Sequence, residues 1–463
     1  MSNHKLFVID DQNPEDIAMM QALYSRSSQS VVQHLEKVKK TGSGKFMASY
    51  YVGYNHESIG DCGSTTIFIE NVSILAAKAI QDWPLYSGQE TSTRYIDMSK
   101  QECTDPLNTK ESKEILNDWI QFYIESQEEL TQFLKEKYKI KPEEKENKKM
   151  TDTYNKAIAA RAFDILRAFL PAGINTQLAW HTNLRQADKK LALLNHHPDS
   201  TIREIGVSIH NELKKKYPHS FCHKLYEETE KYRELVAKSY TYHDNSLFEK
   251  KPREKDDSLF EKKPREKDDS LFEKDDIMVC NTNIKDSDLT PYLDIINERP
   301  NKTELPNFLL DLGLVSFSFP LDFGSFRDIQ RHRNGVCRMP VLTMDLGFHK
   351  WYLDQLPDPL KEKALSLIEA QKAKIIALTD NPIIRQYYIP LGFKVSCKVT
   401  YGLPAAVYTI ELRSGSTVHA TLRDIAFKME RTLKEVLPSL KIHLDMNKDE
   451  WDIRRGLQDI TAK

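Results

Sequence analysis

Residues 65–83 read TTIFIENVSILAAKAIQDW, and this stretch indicates the fold class. Its first part alternates in the manner of a strand, and its second part has the spacing of an amphipathic helix. In the second half of the chain, LGLVSFSFPLDF at 312–323 resembles a strand and FRDIQRHR at 326–333 resembles the end of a helix. Both halves therefore predict a mixed α/β (α+β) fold, each with a mixed sheet packed with helices, in an order that suggests duplication.

The remaining pattern extends this prediction along the chain. Helical spacing or strand-type composition identifies further elements, and Pro359 is well placed in the first turn of one helix. We expect a short strand at 5–10, helices at 18–39, 111–138, 153–169 and within 200–240, a helix at 359–378, a strand-rich patch at 393–412 and a helix at 417–436.

A charged repeat divides the chain of 463 residues. SLFEKKPREKDD begins at Ser246 and again at Ser258, and a truncated copy begins at Ser270. Such a sequence cannot bury enough apolar surface to offset its ordering entropy, so we interpret 246–276 as a flexible linker. A docking motif built on the recurring Leu-Phe pair is the alternative. The predicted domains are therefore residues 1–245 and residues 277–463.

Charge and composition exclude several classes of protein. The chain has 66 basic and 68 acidic side chains, a net charge of -2, so no overall field favours nucleic acid or an anionic membrane. The N-terminus lacks the apolar segment of a signal peptide. No stretch approaches the roughly 20 apolar residues of a membrane span. We expect a cytoplasmic protein.

Six cysteines are scattered without a CxxC pair, which argues against a disulfide framework and a structural zinc site. No metal is therefore predicted. Most of these cysteines are expected to be small buried residues or free thiols. Cys337 is the exception that stays open, because it follows a basic triplet closely.

Three polar clusters are candidates for binding. The first, SGQETSTRY at Ser87–Tyr95, combines a carboxylate, hydroxyls, a guanidinium and a phenol, which suits a polar ligand, although a solvated loop would also explain it. The second places Arg167 and Arg185 in apolar surroundings, where a charge usually has a partner, either a ligand or an internal carboxylate. The third is the triplet 331–333, followed later by Arg413 and His419.

Together these segments resemble the flavin-dependent thymidylate synthase (ThyX) family. Its signature runs Arg-His-Arg, four residues, Asn-Glu, one residue, Ser, one residue, Arg-Tyr. The first half of this chain has the end of the signature, QETSTRY at 89–95, but Asp82-Trp83-Pro84 in place of the basic triplet. The second half has Arg331-His332-Arg333 but lacks the later acid and hydroxyl, with Arg338-Met339-Pro340-Val341 there.

Other segments are similar to the same family. GYNHESIGD at 53–61 resembles its Gly-His-Glu-Ser/Thr stretch, with Asp61 where Glu is usual. RAFLP at 167–171 and NLR at 183–185 resemble its later elements. Its Leu-Arg and His-Ala elements are kept only in the second half, as 412–413 and 419–420, against Leu193-Leu194 in the first.

The resemblance implies a division of one active site between two modules. The family methylates dUMP to dTMP with methylenetetrahydrofolate and with FAD reduced by NADPH. The implied catalytic residues are Arg94, Glu90 and Ser92. The implied substrate-binding residues are Gln89, Glu90, Ser92, Arg94, Tyr95, Arg167 and Arg413. The implied cofactor-binding residues are Ser58, Asp61, Asn183, Arg185, Arg331, His332, Arg333 and His419.

The family is homotetrameric, so the resemblance implies a homodimer of the tandem chain, with at most half as many sites as modules. Two alternatives stay open. A related flavoprotein could act on another pyrimidine nucleotide, and a catalytically degenerate protein could only bind nucleotide or flavin.

Overall fold

The computed structural model describes residues 5–239, 241–244, 278–447, 451 and 453. The predicted linker at 246–276 lies outside these residues. The strands are β1 (Ser64–Ser73), β2 (Ser87–Glu90), β3 (Asn175–Asn183), β4 (Thr241–Tyr242), β5 (Val279–Thr282), β6 (Leu314–Asp322), β7 (Gly335–Cys337), β8 (Met339–Pro340) and β9 (Lys394–Gly402).

Helices make up most of the rest of the described chain. The helices are α1 (Pro14–Tyr24), α2 (Val31–Thr41), α3 (Gly44–Phe46), α4 (Glu57–Gly60), α5 (Ile74–Gln81), α6 (Lys110–Lys137), α7 (Pro142–Lys145), α8 (Lys148–Leu166), α9 (Leu184–Leu194), α10 (Ser200–Lys216), α11 (Glu227–Lys238), α12 (Leu293–Glu298), α13 (Phe323–Ile329), α14 (Lys350–Asp354), α15 (Asp358–Leu378), α16 (Pro382–Arg385), α17 (Leu403–Arg413) and α18 (Ala420–Val436). A π-helical turn covers Met47–Gly53, and 3-10 turns cover Asp286–Tyr292, Asn307–Leu312, Arg167–Phe169 and Gln386–Tyr388. The mixed α/β class predicted from the sequence is confirmed.

The chain forms two compact units that do not follow the predicted domain boundary. Unit 1 comprises Met1–Val72, Ala76–Glu90 and Thr176–Tyr240, and unit 2 comprises Ser73–Leu75, Thr91–Asn175 and Thr241–Lys463. Residues 91–175 therefore pack with the second half of the sequence, although they precede the linker. The compact units do not test whether the two predicted modules are copies of one ancestral sequence.

Unit 1 is organised around the three-stranded sheet β1-β3-β2. Strand β2 pairs with β3 in antiparallel register, with Glu90 opposite Leu178. Apolar side chains on one face of the sheet, such as Ile69 and Trp180, are buried against the helices. Leu184 and Leu213 come from those helices, which thus cover the sheet on that face.

Unit 2 contains the four-stranded sheet β5-β6-β9-β7 and the pair β4-β8. The long strands β6 and β9 run antiparallel, with Phe317 opposite Val399. These two side chains are fully buried in a core that also includes Trp119 of α6 and Ile165 of α8. One continuous core thus combines residues from both halves of the sequence.

Two expectations for the N-terminal region are wrong. No strand forms at residues 5–10. The helix expected at 18–39 is two helices, α1 and α2, because Ser30 caps the second one: its backbone N–H bonds the Gln33 side chain, and its hydroxyl accepts from Val32 N at 3.4 Å. Such a capping box starts a new helix even within a helical pattern.

Two later expectations are corrected in the same way. The stretch 200–240 contains two helices, because α10 ends with its cap at Tyr217, directly before Pro218. The patch at 393–412 is strand only to Gly402, because Pro404 in the first turn favours the helix α17. The strand at 312–323 and the helices at 111–138, 153–169, 359–378 and 417–436 are confirmed, with small shifts of their ends.

The elements of the two halves repeat in order and in length. Strands β3 and β9 have nine residues each, helices α9 and α17 have eleven, and helices α10 and α18 have seventeen. A 3-10 turn precedes β3 at 167–169 and precedes β9 at 386–388.

The two segments that carry these turns pair with each other inside unit 2, around Pro171 and Pro390. Ala172 N donates to Ile389 O, and Leu391 N donates to Leu170 O, both at 2.9 Å. Gly173 N and Gly392 N make the matching pair of bonds, to Tyr387 O and Ala168 O. Each bond from one half to the other thus has a counterpart in the reverse direction, as a local two-fold axis requires.

Candidate functional site

Arg94 is the first member of a cluster of arginines in unit 2. It lies in a turn after β2, where Ser92 Oγ accepts a bond from Arg94 N at 3.2 Å. Its Nε and Nη2 atoms donate to the two carboxylate oxygens of Asp164, at 2.7 and 3.1 Å, and Nη2 also reaches Thr417 O. Burial alone would lower the pKa of Arg94, but Asp164 raises it above the ordinary value. The guanidinium is therefore permanently charged and fixed by a bidentate pair.

Arg167 lies deeper in the same cluster and is 1% exposed. Its Nη2 atom donates to Ser325 Oγ at 2.8 Å and is 3.9 Å from the nearer oxygen of Asp322. That oxygen is occupied by Ser325 N and by the hydroxyl of Tyr352, both at 2.8 Å. Among the described residues, none accepts a hydrogen bond from Arg167 Nε. A buried donor without a partner is costly, so this atom is a point where a ligand acceptor would be stabilising.

His419 is a buried histidine that contacts the residues around Arg94 and Arg167. The ring is 1% exposed and caps helix α18, with Nδ1 accepting from Thr421 N at 3.4 Å and lying 2.9 Å from its hydroxyl. The Nε2 atom is 3.3 Å from Asp164 O. Burial and the charge of Arg167 hold the pKa of His419 well below its ordinary value, so the ring is neutral. Both nitrogens are engaged by protein atoms, in a place where a cofactor contact had been predicted from the sequence.

Arg413, the last residue of α17, brings a third guanidinium to the cluster. Its Nε atom donates to His332 Nε2 at 2.7 Å, and its Nη2 atom donates to Asp328 O at 2.6 Å. The ring of His332 is packed edge-on against Tyr408, with centroids 6.0 Å apart. Burial and then Arg413 lower the pKa of His332 to about 3, so the ring is a neutral acceptor.

Asp328 lies among these arginines as an ionised carboxylate. Burial would raise its pKa, but Arg331, Arg413 and other guanidiniums lower it far below the ordinary value. Its ion partner Arg331, at 3.7 Å, has a side chain that is 47% exposed. Arg333 is partly exposed beside it. The triplet thus offers two outward guanidiniums and one inward imidazole.

The sequence did not single out two further members of the cluster, Asp164 and Arg327. Arg327 is buried and donates to Thr93 Oγ1 at 3.1 Å, which holds the loop between Ser92 and Arg94. Asp164 lies one helical turn before Arg167, so the spacing in the sequence could have indicated an acid and a base on one face of the helix. Tyr95 follows Arg94 and is partly exposed.

The other predicted residues belong to unit 1. Gln89 is exposed. Glu90 is a partner in a buried ion pair, 2.6 Å from Lys78 Nζ, with side chains 2% and 0% exposed. Gln81 bridges the pair, donating to Glu90 at 2.8 Å and accepting from Lys78 at 2.9 Å. Glu90 therefore has a structural task in unit 1 in addition to any role with a ligand.

A second cluster, in unit 1, contains three of the eight predicted cofactor residues: Asp61, Asn183 and Arg185. Arg185 pairs with both oxygens of Asp61, at 2.8 and 2.6 Å, and lies 3.5 Å from Glu57. Asn183 caps helix α9 and also donates to Asp61 at 3.2 Å. Ser58 is exposed nearby in the sequence, on α4. The internal carboxylate that sequence reasoning kept open as the partner of Arg185 is Asp61.

A cleft of about 770 Å³ adjoins the arginine cluster of unit 2. Tyr408, Leu412 and Thr417 line it, and each touches or neighbours a member of the cluster. Its lining also includes the ion pair of Arg299 and Glu411. The cleft thus combines apolar and aromatic side chains with charged groups of both signs, such as Lys302 and Asp445, and the arginines of the cluster lie beside it and not in its wall.

Comparison with known proteins identifies the first half of the chain. Residues 7–219 match the family model described as "Thymidylate synthase complementing protein". The match covers a little under half of the chain. The matched region contains QETSTRY, Arg167 and Arg185, and it ends before the linker. The family resemblance stated from these motifs is therefore confirmed for the first half.

Relatives of similar length have been recognised in other organisms. UPF0159 protein Ta1429 of Thermoplasma acidophilum is 24% identical over 92% of this chain and 94% of its own length. A UPF0159 protein of Chlamydia muridarum is 26% identical over 89% of this chain and 82% of its own. The flavin dependent thymidylate synthase ThyX of Helicobacter pylori, solved with FAD and dUMP, is 16% identical over 46% of this chain and 96% of its own, with a TM-score of 0.28.

Within the described part of the chain, no helix is long and apolar enough to cross a bilayer. The same residues contain no group of three or more His, Cys, Asp or Glu side chains placed to hold a metal ion. The six cysteines, all among the described residues, form no disulfide, and Cys337 lies half-buried in β7.

Proposed function

We propose that this chain is a flavin-dependent thymidylate synthase that methylates dUMP to dTMP. One observation carries the proposal. Arg94 and Arg167, from before the linker, and Arg331 and Arg413, from after it, converge around Asp328 in one compact unit. The family match of residues 7–219 supports the same activity.

The proposal includes a tandem origin for the chain. The repeated lengths of β3 and β9, of α9 and α17, and of α10 and α18 support it. The bonds Gly173 N to Tyr387 O and Gly392 N to Ala168 O support it further, because they extend the symmetry beyond the reciprocal pair that any antiparallel bridge has. In a fused pair, each copy needs to supply only its own share of one site, which explains why the signature is divided.

The nucleotide is proposed to bind through its anionic group and its ring carbonyl. Guanidiniums recognise phosphate bidentately and remain charged at any physiological pH. Among the described residues, none accepts from Arg413 Nη1, so that edge is available. We assign Arg94, Arg413 and Arg331 to the phosphate and ring contacts, Arg167 to a ring carbonyl, and Tyr95 and Ser92 to hydrogen bonds with the nucleotide.

The residues present also fit FAD and a folate co-substrate. The half-exposed Arg331 and its neighbour Arg333 suit the diphosphate of a dinucleotide. The cleft beside Tyr408 and Leu412 has the size that planar ring systems require, and apolar side chains form part of its wall. Arg185, with its Nε and Nη2 atoms on Asp61, would contribute to a cofactor in unit 1 only through Nη1, which lies 3.5 Å from Glu57.

Reduced FAD, when bound, supplies the hydride, with NADPH as its reductant and methylenetetrahydrofolate as the carbon donor. The protein's share is orientation and charge. Arg94 and Arg167 would stabilise negative charge that develops on the pyrimidine ring. This stabilisation is stronger in a buried site from which water is largely excluded. Ser92 would position the nucleotide as a hydrogen-bonding group, because QETSTRY contains no cysteine and its one carboxylate, Glu90, is held in the ion pair with Lys78.

The test uses purified full-length protein. We expect it to be yellow and to convert dUMP to dTMP with NADPH and methylenetetrahydrofolate. The same chain should support growth of a thymidine-requiring strain, and Arg94→Ala or Arg331→Ala should abolish that growth. Arg431→Ala, an exposed arginine of α18, is the matched control. A colourless protein without turnover would refute the proposal.

A second candidate function follows from Asp328. A carboxylate only accepts hydrogen bonds, whereas the glutamine common in the family at this position can also donate. This favours a substrate that carries a donor, such as the amino group of a cytosine nucleotide. A screen of pyrimidine nucleotides by mass shift separates the two, because each substrate gives a different product mass.

The family relationship also leads us to propose a homodimer of the chain. Its two copies would supply four modules. Sedimentation of the purified protein gives the mass directly, and a monomeric enzyme with full activity would contradict this part of the proposal.

A further inference from the structure

We propose that His332 is a positioning residue that aims Arg413 at the anionic group of the nucleotide. This inference rests on the proposed function, because it assigns a task within that binding site. In the sequence, His332 stands in a basic triplet and its predicted role was a direct contact with the cofactor. The geometry points to a role through another side chain.

The guanidinium of Arg413 is held on two sides and open on the third. Nε donates to His332 Nε2 at 2.7 Å, and Nη2 donates to Asp328 O at 2.6 Å. No other described residue bonds to this guanidinium. Two bonds at different nitrogens fix the plane of the group, and the Nη1 edge then points in a set direction. Such preorganisation raises affinity, because the side chain loses less freedom when a ligand binds.

The second anchor follows from the way α13 ends. The helix closes at Ile329, and His332 N bonds to Ile329 O at 3.0 Å. The last carbonyls of a helix lack partners within it, and Asp328 O is one of them. Arg413 satisfies this carbonyl, and a cation at a helix C-terminus is also favoured by the dipole. His332 lies three residues beyond the helix, so both anchors belong to one rigid corner.

His332 can accept this bond only as a neutral ring. It is 9% exposed, and Arg331, Arg333 and Arg413 surround it with positive charge. A protonated ring would have donors on both nitrogens and would repel the guanidinium. Since Nε2 accepts, the proton is on Nδ1. Tyr408, packed edge-on, fixes the ring orientation.

The other half of the chain supplies an internal comparison. Trp83 stands at the His332 position of the triplet, and Leu194, the last residue of α9, stands where α17 ends in Arg413. An indole N–H is a donor only, so tryptophan could not accept from an arginine. Trp83 instead donates to Gln186 at 3.0 Å. Acceptor and arginine are thus both present in one half and both absent in the other.

The experiment measures binding of dUMP to the full-length protein by calorimetry. His332→Leu removes the acceptor, and His332→Gln places an amide oxygen near the position of Nε2. Arg413→Leu and the double variant His332→Leu with Arg413→Leu complete a cycle. Thermal unfolding of each variant shows whether the fold is kept.

We expect His332→Leu to weaken dUMP binding 10- to 100-fold and His332→Gln to stay within about threefold of the wild type. The double variant should bind no more weakly than Arg413→Leu alone, since His332 acts through Arg413. Additive losses, or equal losses in the Leu and Gln variants at unchanged thermal stability, would overturn the inference while leaving the proposed function standing. A wild-type protein that binds no dUMP would refute the proposed function and the inference together.

Discussion

Removing the carboxylate of Glu90 should destabilise the protein strongly, whatever its role with a ligand. The residue lies 2.6 Å from Lys78 Nζ, and the two side chains are 2% and 0% exposed. Glu90→Ala would leave a buried ammonium without its nearest counter-charge. Breaking one partner of a buried pair costs about 3–5 kcal/mol. For a unit of this size, that corresponds to a fall in Tm of roughly 6–20 °C.

The design separates the structural task of Glu90 from any catalytic one. Unfolding is followed by circular dichroism against temperature and urea. Gln89→Ala, an exposed neighbour on β2, should change the free energy of unfolding by less than about 0.5 kcal/mol. Replacing both partners, as Lys78→Met with Glu90→Leu, should restore most of the lost stability, because an apolar pair needs no desolvation of charge.

Two results would refute this reasoning. One is a Glu90→Ala protein whose free energy of unfolding is within about 1 kcal/mol of the wild type, since the loss of a buried charge's partner should destabilise the protein by more than this. The other is a double variant as unstable as the single one. If the double variant is stable but does not convert dUMP, Glu90 also acts on the ligand.

Three further predictions concern the histidines, Asp164 and Gly88. Burial lowers the pKa of His332 to about 3 and that of His197 to about 4, so below about pH 6.5 the unfolded chain binds protons that the folded chain does not. The free energy of unfolding in urea should therefore fall from pH 7 to pH 4, and the fall should be smaller in His197→Gln. Asp164→Asn should lower turnover about 5- to 150-fold, equivalent to roughly 1–3 kcal/mol, because Arg94 loses its bidentate partner. The control Asp152→Asn, on the exposed side of α8, should not change turnover, and equal activity of the two variants would contradict the role of Asp164 in holding Arg94. Gly88→Ala would place a Cβ 1.9 Å from Ala179 O and should detach β2 from the sheet. The Gly88→Ala protein should therefore have a lower Tm than the control variant Ser87→Ala.

Local patterns allowed most elements of the fold to be predicted from the sequence. The change from strand to helix at 65–83 depends on side-chain period alone, and β1 and α5 follow it. The capping box of Ser30 and Gln33 was visible in the sequence, yet the helical period of the flanking segments masked it. At Gly402, an apolar run continued from strand into helix, and period alone does not separate the two.

The site was less predictable, because hydrogen-bond partners are set by tertiary contacts. Motif matching identified Arg94, Arg167 and Arg413, but it could not show that Asp164, 70 positions from Arg94, holds the first of these. The sequence also gave no means to distinguish a guanidinium with free donors, as in Arg413, from one largely occupied by a carboxylate, as in Arg185. Tertiary contacts decide that difference, because Asp61 lies opposite Arg185 whereas no described carboxylate bonds to Arg413.

The reciprocal bonds around Pro171 and Pro390 have a consequence for the gene. Because residues 91–175 and the described residues after the repeats build one interior, a reading frame interrupted within the repeats would yield two polypeptides, neither able to complete its own packing. Each would have to meet the other before folding could finish. In the proposed tandem chain, the covalent connection thus secures a stoichiometry of one to one, and it prevents either half from being lost or exchanged on its own.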